Sequence, residues 1–229
     1  AGVRGERIRE GTRDLASEAA MRPHEAEAAV AVGRRCAAES IARGTRLLIA
    51  GDMGIGNTTS AAALICAISG KSAGEIVGRG TGIGDAALAR KRCVVEAAVA
   101  RVQARHAVSP LAVLAEVGGL ELAALVGFYL EGTDRQVPLL LDGFITTAAA
   151  LVAVAINERT RDWLLASHLS AEPGHALVLS ALGLRPLLDL SLRLGEGTGA
   201  ALALPIIRAA LALHRDMATF DEAGVSSCS

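Results

Sequence analysis

The string Gly51-Asp52-Met53-Gly54-Ile55-Gly56-Asn57-Thr58-Thr59-Ser60 joins a short apolar run, residues 47–50, to an Ala-rich helical pattern. A strand running into a helix through such a turn brings backbone amides toward one point. Gly54 and Gly56 permit a sharp turn and close approach of a ligand, and Asn57, Thr58 or Thr59 can cap the helix. That arrangement suits a phosphate. The spacing is neither the dinucleotide G-x-G-x-x-G nor the Walker G-x-x-x-x-G-K-[ST], because no Lys follows the second Gly. A capped strand–helix turn without a ligand has the same pattern, so the string alone does not decide. A second glycine-rich string, Gly78-Arg79-Gly80-Thr81-Gly82-Ile83-Gly84, can place several N–H groups around one anion. The third candidate is Glu196, which sits between Gly195 and Gly197 just before a helical pattern, with no apolar face to solubilise and no helical pairing partner. A carboxylate there is placed to take a proton or accept a hydrogen bond, and a plain surface turn is the alternative.

These residues need elements to hold them. Apolar runs at 46–50, 111–117, 137–141 and 163–166 read as strands, and helical patterns at 23–43, 58–68, 85–105, 120–130, 145–156, 176–182 and 200–214 lie between or beyond them. Strands of four to seven apolar residues alternating with helices imply an α/β fold with a parallel, Rossmann-like sheet buried on both faces. Each expected strand ends in a polar or glycine-rich pair: Gly51-Asp52, Gly118-Gly119, Asp142-Gly143 and Ser167-His168. Ligands of such sheets bind beyond those ends, which gathers four loops into one site. Two short helical segments are expected around 186–193, and Pro205 is expected to kink or divide the last helix. Residues 1–22 read as a surface entry segment or remnant of a small domain, 23–216 as the α/β domain and 217–229 as a tail crossing the surface. Arg4, Arg7, Arg9 and Arg13 read as a solvated face, His24 as exposed, and Lys91 by periodicity as an ordinary helix residue.

Composition narrows the functional classes. With 229 residues and 52% apolar content the chain can bury a large core, and its net charge of −1 and five aromatic residues offer little to nucleic acid or an anionic membrane. Cys36, Cys66, Cys93 and Cys228 are widely separated, which indicates neither a zinc knuckle nor a disulfide framework and suggests a reducing cytoplasm. The start carries charges instead of a signal-peptide core, and the uncharged, strongly apolar run 143–157 is too short to span a bilayer.

With these motifs the chain resembles the nicotinate-nucleotide:dimethylbenzimidazole phosphoribosyltransferases of the cobalamin lower-ligand pathway, from near residue 10 to its end. The carriers are residues 51–60, residues 78–83, Asp142-Gly143-Phe144-Ile145-Thr146-Thr147-Ala148-Ala149-Ala150, Ser170-Ala171-Glu172-Pro173-Gly174-His175, and Leu192-Arg193-Leu194-Gly195-Glu196-Gly197-Thr198-Gly199-Ala200. Five strings in the family's order make the resemblance specific. It implies transfer of phosphoribose from nicotinate mononucleotide to 5,6-dimethylbenzimidazole or a related base, giving α-ribazole 5′-phosphate and nicotinate, with no cofactor or metal and in a homodimer. It assigns Glu196 as general base, with Asp52 as a catalytic partner. It places Met53, Gly54, Ile55, Gly56, Asn57, Thr58, Gly80, Thr81, Gly82, Lys91, Asp142, Gly143, Ser170 and Leu194 around the substrates. Two departures stand out. The family usually has Glu where Asp52 stands, one methylene longer, and its members extend further at the N-terminus, where small-domain helices supply one side of the base pocket. The alternative expectation is a weakly active or non-catalytic phosphoribosyl-binding subunit that needs a second chain to complete the acceptor pocket. A nucleoside-triphosphate hydrolase is disfavoured by the missing Lys and a poor Mg²⁺ site.

Overall fold

The computed structural model describes residues 4–106 and 109–224; Cys228 lies outside them. Four parallel strands, β1 (Leu48–Ala50), β2 (Leu139–Leu141), β3 (Leu164–Ser170) and β4 (Pro186–Leu192), pair in chain order. Ala50 is opposite Leu141, and Leu141 is opposite Ala166, so the carboxyl ends of β1 and β2 lie side by side. Leu139, Leu140 and Leu141 are all fully buried. A strand with no solvent face needs cover on both sides, the signature of a parallel sheet inside helices.

The helices are α1 (Pro23–Ala42), α2 (Thr58–Ser69), α3 (Ala73–Ile76), α4 (Asp85–Ala104), α5 (Pro110–Val117), α6 (Leu120–Asp134), α7 (Phe144–Ile156), α8 (Gly174–Leu182) and α9 (Thr198–Asp216), with a 3-10 turn at Glu158–Trp163. Helix α7 carries eleven buried residues from Phe144 to Val154 and packs against α2, α6 and α8. α1 lies along α6, where Gly33 and Gly127 let the backbones meet: a Cβ on Gly33 would fall 1.7 Å from the Ala124 carbonyl oxygen. Among the described residues no helix is long and apolar enough to cross a membrane.

Three expectations are corrected. Residues 111–117 form helix α5 instead of a strand, with Ser109 Oγ accepting the Ala112 N–H at 3.1 Å and Pro110 at the first helical position. A short apolar run is ambiguous by periodicity, and the Ser-Pro start is the discriminating signal. Residues 186–192 form the edge strand β4 instead of two short helices, with Pro186 at its first position, where a missing N–H is tolerated. The alternation Leu188, Asp189, Leu190, Ser191, Leu192 is its period-two signature. Strand β3 runs on to Ser170, so Ser167 and His168 lie within it. In addition, α9 continues through Pro205 undivided. Arginines of the entry segment are tied down: Arg13 pairs with Glu25 at 2.8 Å and Arg4 with Glu39. Arg13 and the Arg22 backbone N–H hold the Glu25 carboxyl down to about 2.

Candidate active site

The glycine turn after β1 is built around Asp52. Its Oδ1 accepts the Gly54 N–H at 2.8 Å and the Asn57 amide at 2.9 Å, closing an Asx-type turn that Gly54 (φ 80°) and Gly56 (φ 88°) complete. Asn57 does not cap α2. Its side-chain amide is shared between Asp52 and Glu121 Oε1, the latter at 3.3 Å, and α2 has no side-chain cap at Asn57. The amides opening α2 therefore face the turn without a side-chain acceptor from that residue. Glu121 follows the Gly118–Gly119 linker between α5 and α6; burial raises its carboxyl above the usual range. The sequence reading missed it, since one charge in an apolar helix start carries no spacing signal.

The second glycine string arches over the same turn. Lys91, buried on α4, donates from Nζ to Thr58 Oγ1 at 2.8 Å and to the Gly78 carbonyl at 3.0 Å. Those bonds tie α4, α2 and the loop together. Burial lowers its pKa and the charge of Glu172 acts against that shift. Gly80, at φ 54°, must be small as well as left-handed, because a Cβ there would lie 2.9 Å from Thr58 Oγ1. Arg193 reaches across from the end of β4 to hydrogen-bond the Gly80 carbonyl.

Opposite stands the turn before α9. Gly195, Glu196 and Gly197 are all left-handed, at φ 84°, 58° and 77°. A left-handed residue with a side chain is strained by about 1–2 kcal/mol, so the flanking glycines confine that strain to the residue carrying the carboxylate. Glu196 N–H donates to the Asp52 carbonyl at 2.8 Å. Gly51 makes that approach feasible, since a Cβ there would fall 2.5 Å from Gly197 N and 2.6 Å from the Glu196 carbonyl carbon.

Between the turns, a buried relay sets Gly143 and Ser170. The Ser170 N–H donates to His175 Nδ1 at 2.8 Å, and Thr147 Oγ1 gives its one proton to the Gly143 carbonyl at 2.8 Å. His175 Nε2 must then carry the proton and donate to Thr147 Oγ1, 2.9 Å away. Burial holds this histidine neutral, its pKa pushed down to about 3. His168 is assigned in the same way. Ser167 Oγ donates to the Asp142 carbonyl, so His168 Nδ1 donates to Ser167 Oγ at 3.0 Å, and burial lowers its pKa.

The turns enclose a cleft of about 330 Å³. Of the residues expected from sequence, Asp52, Met53, Gly54, Ile55, Thr58, Gly80, Thr81, Gly143, Ser170, Leu194 and Glu196 line it. Gly56 and Lys91 line an adjoining recess of about 420 Å³ that shares Gly54, Thr58, Gly80 and Thr81 with the cleft. Asn57, Gly82 and Asp142 line neither; the Asn57 and Asp142 side chains brace the turns from behind. Glu172 and Arg193 line the cleft without having been assigned a role, and so does His168, expected only as part of a strand end. Met53, Ile55 and Leu194 are 58%, 68% and 67% exposed at its mouth, forming an apolar rim near a lone acid and amide-rich turns. That combination can hold an anion on the turn amides and a flat apolar group against the rim, with a carboxylate in the same cleft to accept a proton. Among the described residues no cluster of three or more His, Cys, Asp or Glu is placed to hold a metal ion.

The chain matches known proteins in sequence and in fold. A family model described as phosphoribosyltransferase matches residues 2–225. The nicotinate-nucleotide–dimethylbenzimidazole phosphoribosyltransferase of Chromobacterium violaceum is 56% identical over 220 residues, 96% of this chain and 64% of the relative. The protein of that name from Thermus thermophilus is 56% identical over 225 residues, 98% of this chain and 66% of the relative. A crystal structure of CobT from Thermus thermophilus superposes with a TM-score of 0.92 at 56% identity, covering 97% of this chain and 66% of that one. The chain thus spans slightly less than two thirds of the length of these relatives.

Proposed function

Since the chain belongs to this phosphoribosyltransferase family, we propose that it transfers phosphoribose from nicotinate mononucleotide to 5,6-dimethylbenzimidazole or a related base, releasing nicotinate and α-ribazole 5′-phosphate. The observation that supports this most is the position of Glu196, whose backbone is bonded to the residue that organises the glycine turn, with both lining one cleft.

In this reading the phosphate sits where cleft and recess meet, against the amides of residues 54–58 and the Gly80–Gly82 loop. Lys91 brings the one ammonium proton that Thr58 and Gly78 leave uncommitted. Ribose lies toward Gly143 and Ser170, and the base rests on the apolar rim. Nicotinate leaves as its ring nitrogen becomes neutral, so the pyridinium is already a good leaving group. Positive charge grows at ribose C1, and an azole nitrogen closes on the opposite face to give the inverted α linkage. Glu196 takes the proton from the other azole nitrogen, raising electron density on the attacking one; such help is typically worth about 10²- to 10⁴-fold. Binding of the remote phosphate is converted into orientation at C1. Asp52 supports the reaction from the turn, its Oδ1 committed to Gly54 and Asn57. The apolar residues that α9 exposes, Leu202, Ile206, Leu211 and Leu213, support a homodimer, and the proposed setting is the cytoplasm.

Incubation of the purified chain with nicotinate mononucleotide and dimethylbenzimidazole tests the proposal. It expects α-ribazole phosphate from the chain and little from Glu196→Gln. Nucleotide binding without product from either would overturn it.

A further inference from the structure

Helix α9 has no capping side chain of its own, because its N-cap position is Gly197. The cap arrives from β2. Asp142, 2% exposed, accepts the Gly197 N–H on Oδ2 at 3.1 Å, and the Gly199 and Ala200 N–H groups on Oδ1 at 2.9 and 3.2 Å. A buried carboxylate on a helix N-terminus satisfies orphan donors and meets the positive end of the helix dipole. The residue before Gly197 is Glu196, whose own N–H is held by the Asp52 carbonyl. Consecutive amides are therefore gripped by the ends of two adjacent strands, β1 through the Asp52 backbone and β2 through the Asp142 side chain. Space is tight on the β3 side too: a Cβ on Gly199 would lie 1.9 Å from His168 Nδ1, so the start of α9 cannot shift in that direction.

We infer that Asp142 is a positioning residue: it sets the left-handed Glu196 turn by capping α9 and acts on the reaction only through Glu196, without touching substrate. Both of its oxygens are turned to α9, and it lines neither the cleft nor the recess. The inference rests on the reading of Glu196 as the base. Asp142→Asn tests it nearly isosterically. An amide can place its oxygen toward Gly199 and Ala200, but it then points an N–H₂ at the Gly197 N–H, so the perturbation falls on the Glu196 turn.

The experiment is a double-mutant cycle with Asp142→Asn and Glu196→Gln, read in kcat and KM, together with amide hydrogen exchange at Gly197, Gly199 and Ala200. With Glu196 intact, Asp142→Asn lowers kcat about 10- to 100-fold, as expected for a displaced catalytic group, and changes KM for nicotinate mononucleotide by less than about twofold. In the Glu196→Gln background the same change costs less than about threefold, because two residues acting as one unit are non-additive. A KM effect with kcat retained would make Asp142 a substrate contact, and full multiplication of the two effects would make it independent of Glu196; either overturns the inference. If Glu196→Gln keeps the parent rate, the reading of the base fails on its own account. The cap is still judged by exchange, which is slow at these amides in the parent and, in Asp142→Asn, at least about tenfold faster at Gly197, with β2 unchanged. Fast exchange in the parent, or none gained in the variant, overturns the inference; should Asp142→Asn not fold, Asp142→Glu, which keeps the charge, takes its place in both arms.

Discussion

Replacing Glu196 separates chemistry from stability. The side chain is exposed, and among the described residues it has neither a hydrogen bond nor an ion pair. Glu196→Gln therefore removes no structural contact, and its effect on unfolding free energy should stay within about 0.5 kcal/mol. Glu196→Gly goes further. It relieves a left-handed backbone costing about 1–2 kcal/mol and adds chain entropy to the unfolded state worth about 0.5–1 kcal/mol, so stability should hold or rise slightly. Both variants lose general-base assistance of about 10²- to 10⁴-fold, or about 2.7–5.4 kcal/mol of barrier. Initial rates of α-ribazole phosphate formation, followed chromatographically, and urea unfolding of the same preparations give both numbers. A Glu196→Gln rate within about threefold of the parent would refute the chemical role. Loss of several kcal/mol of stability in Glu196→Gly would refute the strain argument.

Gly51→Ala should displace the Glu196 turn, since the added Cβ meets Gly197 N at 2.5 Å; a stability loss of about 1–3 kcal/mol from overpacking is expected, with a kcat loss larger than any change in KM, checked by denaturation and steady-state kinetics. Lys91→Met should raise KM for nicotinate mononucleotide about tenfold or more through loss of a charged hydrogen bond, while leaving KM for the base little changed. His175, neutral in the fold with its pKa depressed to about 3 from 6.5, makes the unfolded state bind more protons between those values. Its contribution to stability is present above about pH 6.5 and is lost as pH falls toward 3, at up to about 1.4 kcal/mol per pH unit; His175→Gln should flatten that part of a pH–stability curve.

The sequence exposes most of what the backbone does locally and little of what side chains do at a distance. β1, β2, α4 and α7 are legible because their periodicity and flanking glycines agree. Residues 111–117 read as a strand because a short run of Leu, Val and Ala has no decisive period, and Ser109-Pro110 outweighs it only once capping is considered. β4 escapes because its first residue is proline and half of its face is exposed at the sheet edge. The site follows the same division. Glycine turns and a carboxylate between glycines are local signals, and the cleft gathers them. Glu121 behind Asn57, the His175 relay beneath Gly143 and Ser170, and the Asp142 cap on α9 join residues far apart in the chain. No spacing rule foreshadows such contacts, since they exist only after the strand ends are adjacent.

The most direct measurement is a crystal structure of the chain with α-ribazole 5′-phosphate bound. The phosphate is expected against the amides of residues 54–58 and 80–82, with an azole nitrogen about 3 Å from the Glu196 carboxylate. A nucleotide lying outside the cleft, or reversed so that its phosphate approaches Glu196, would contradict it.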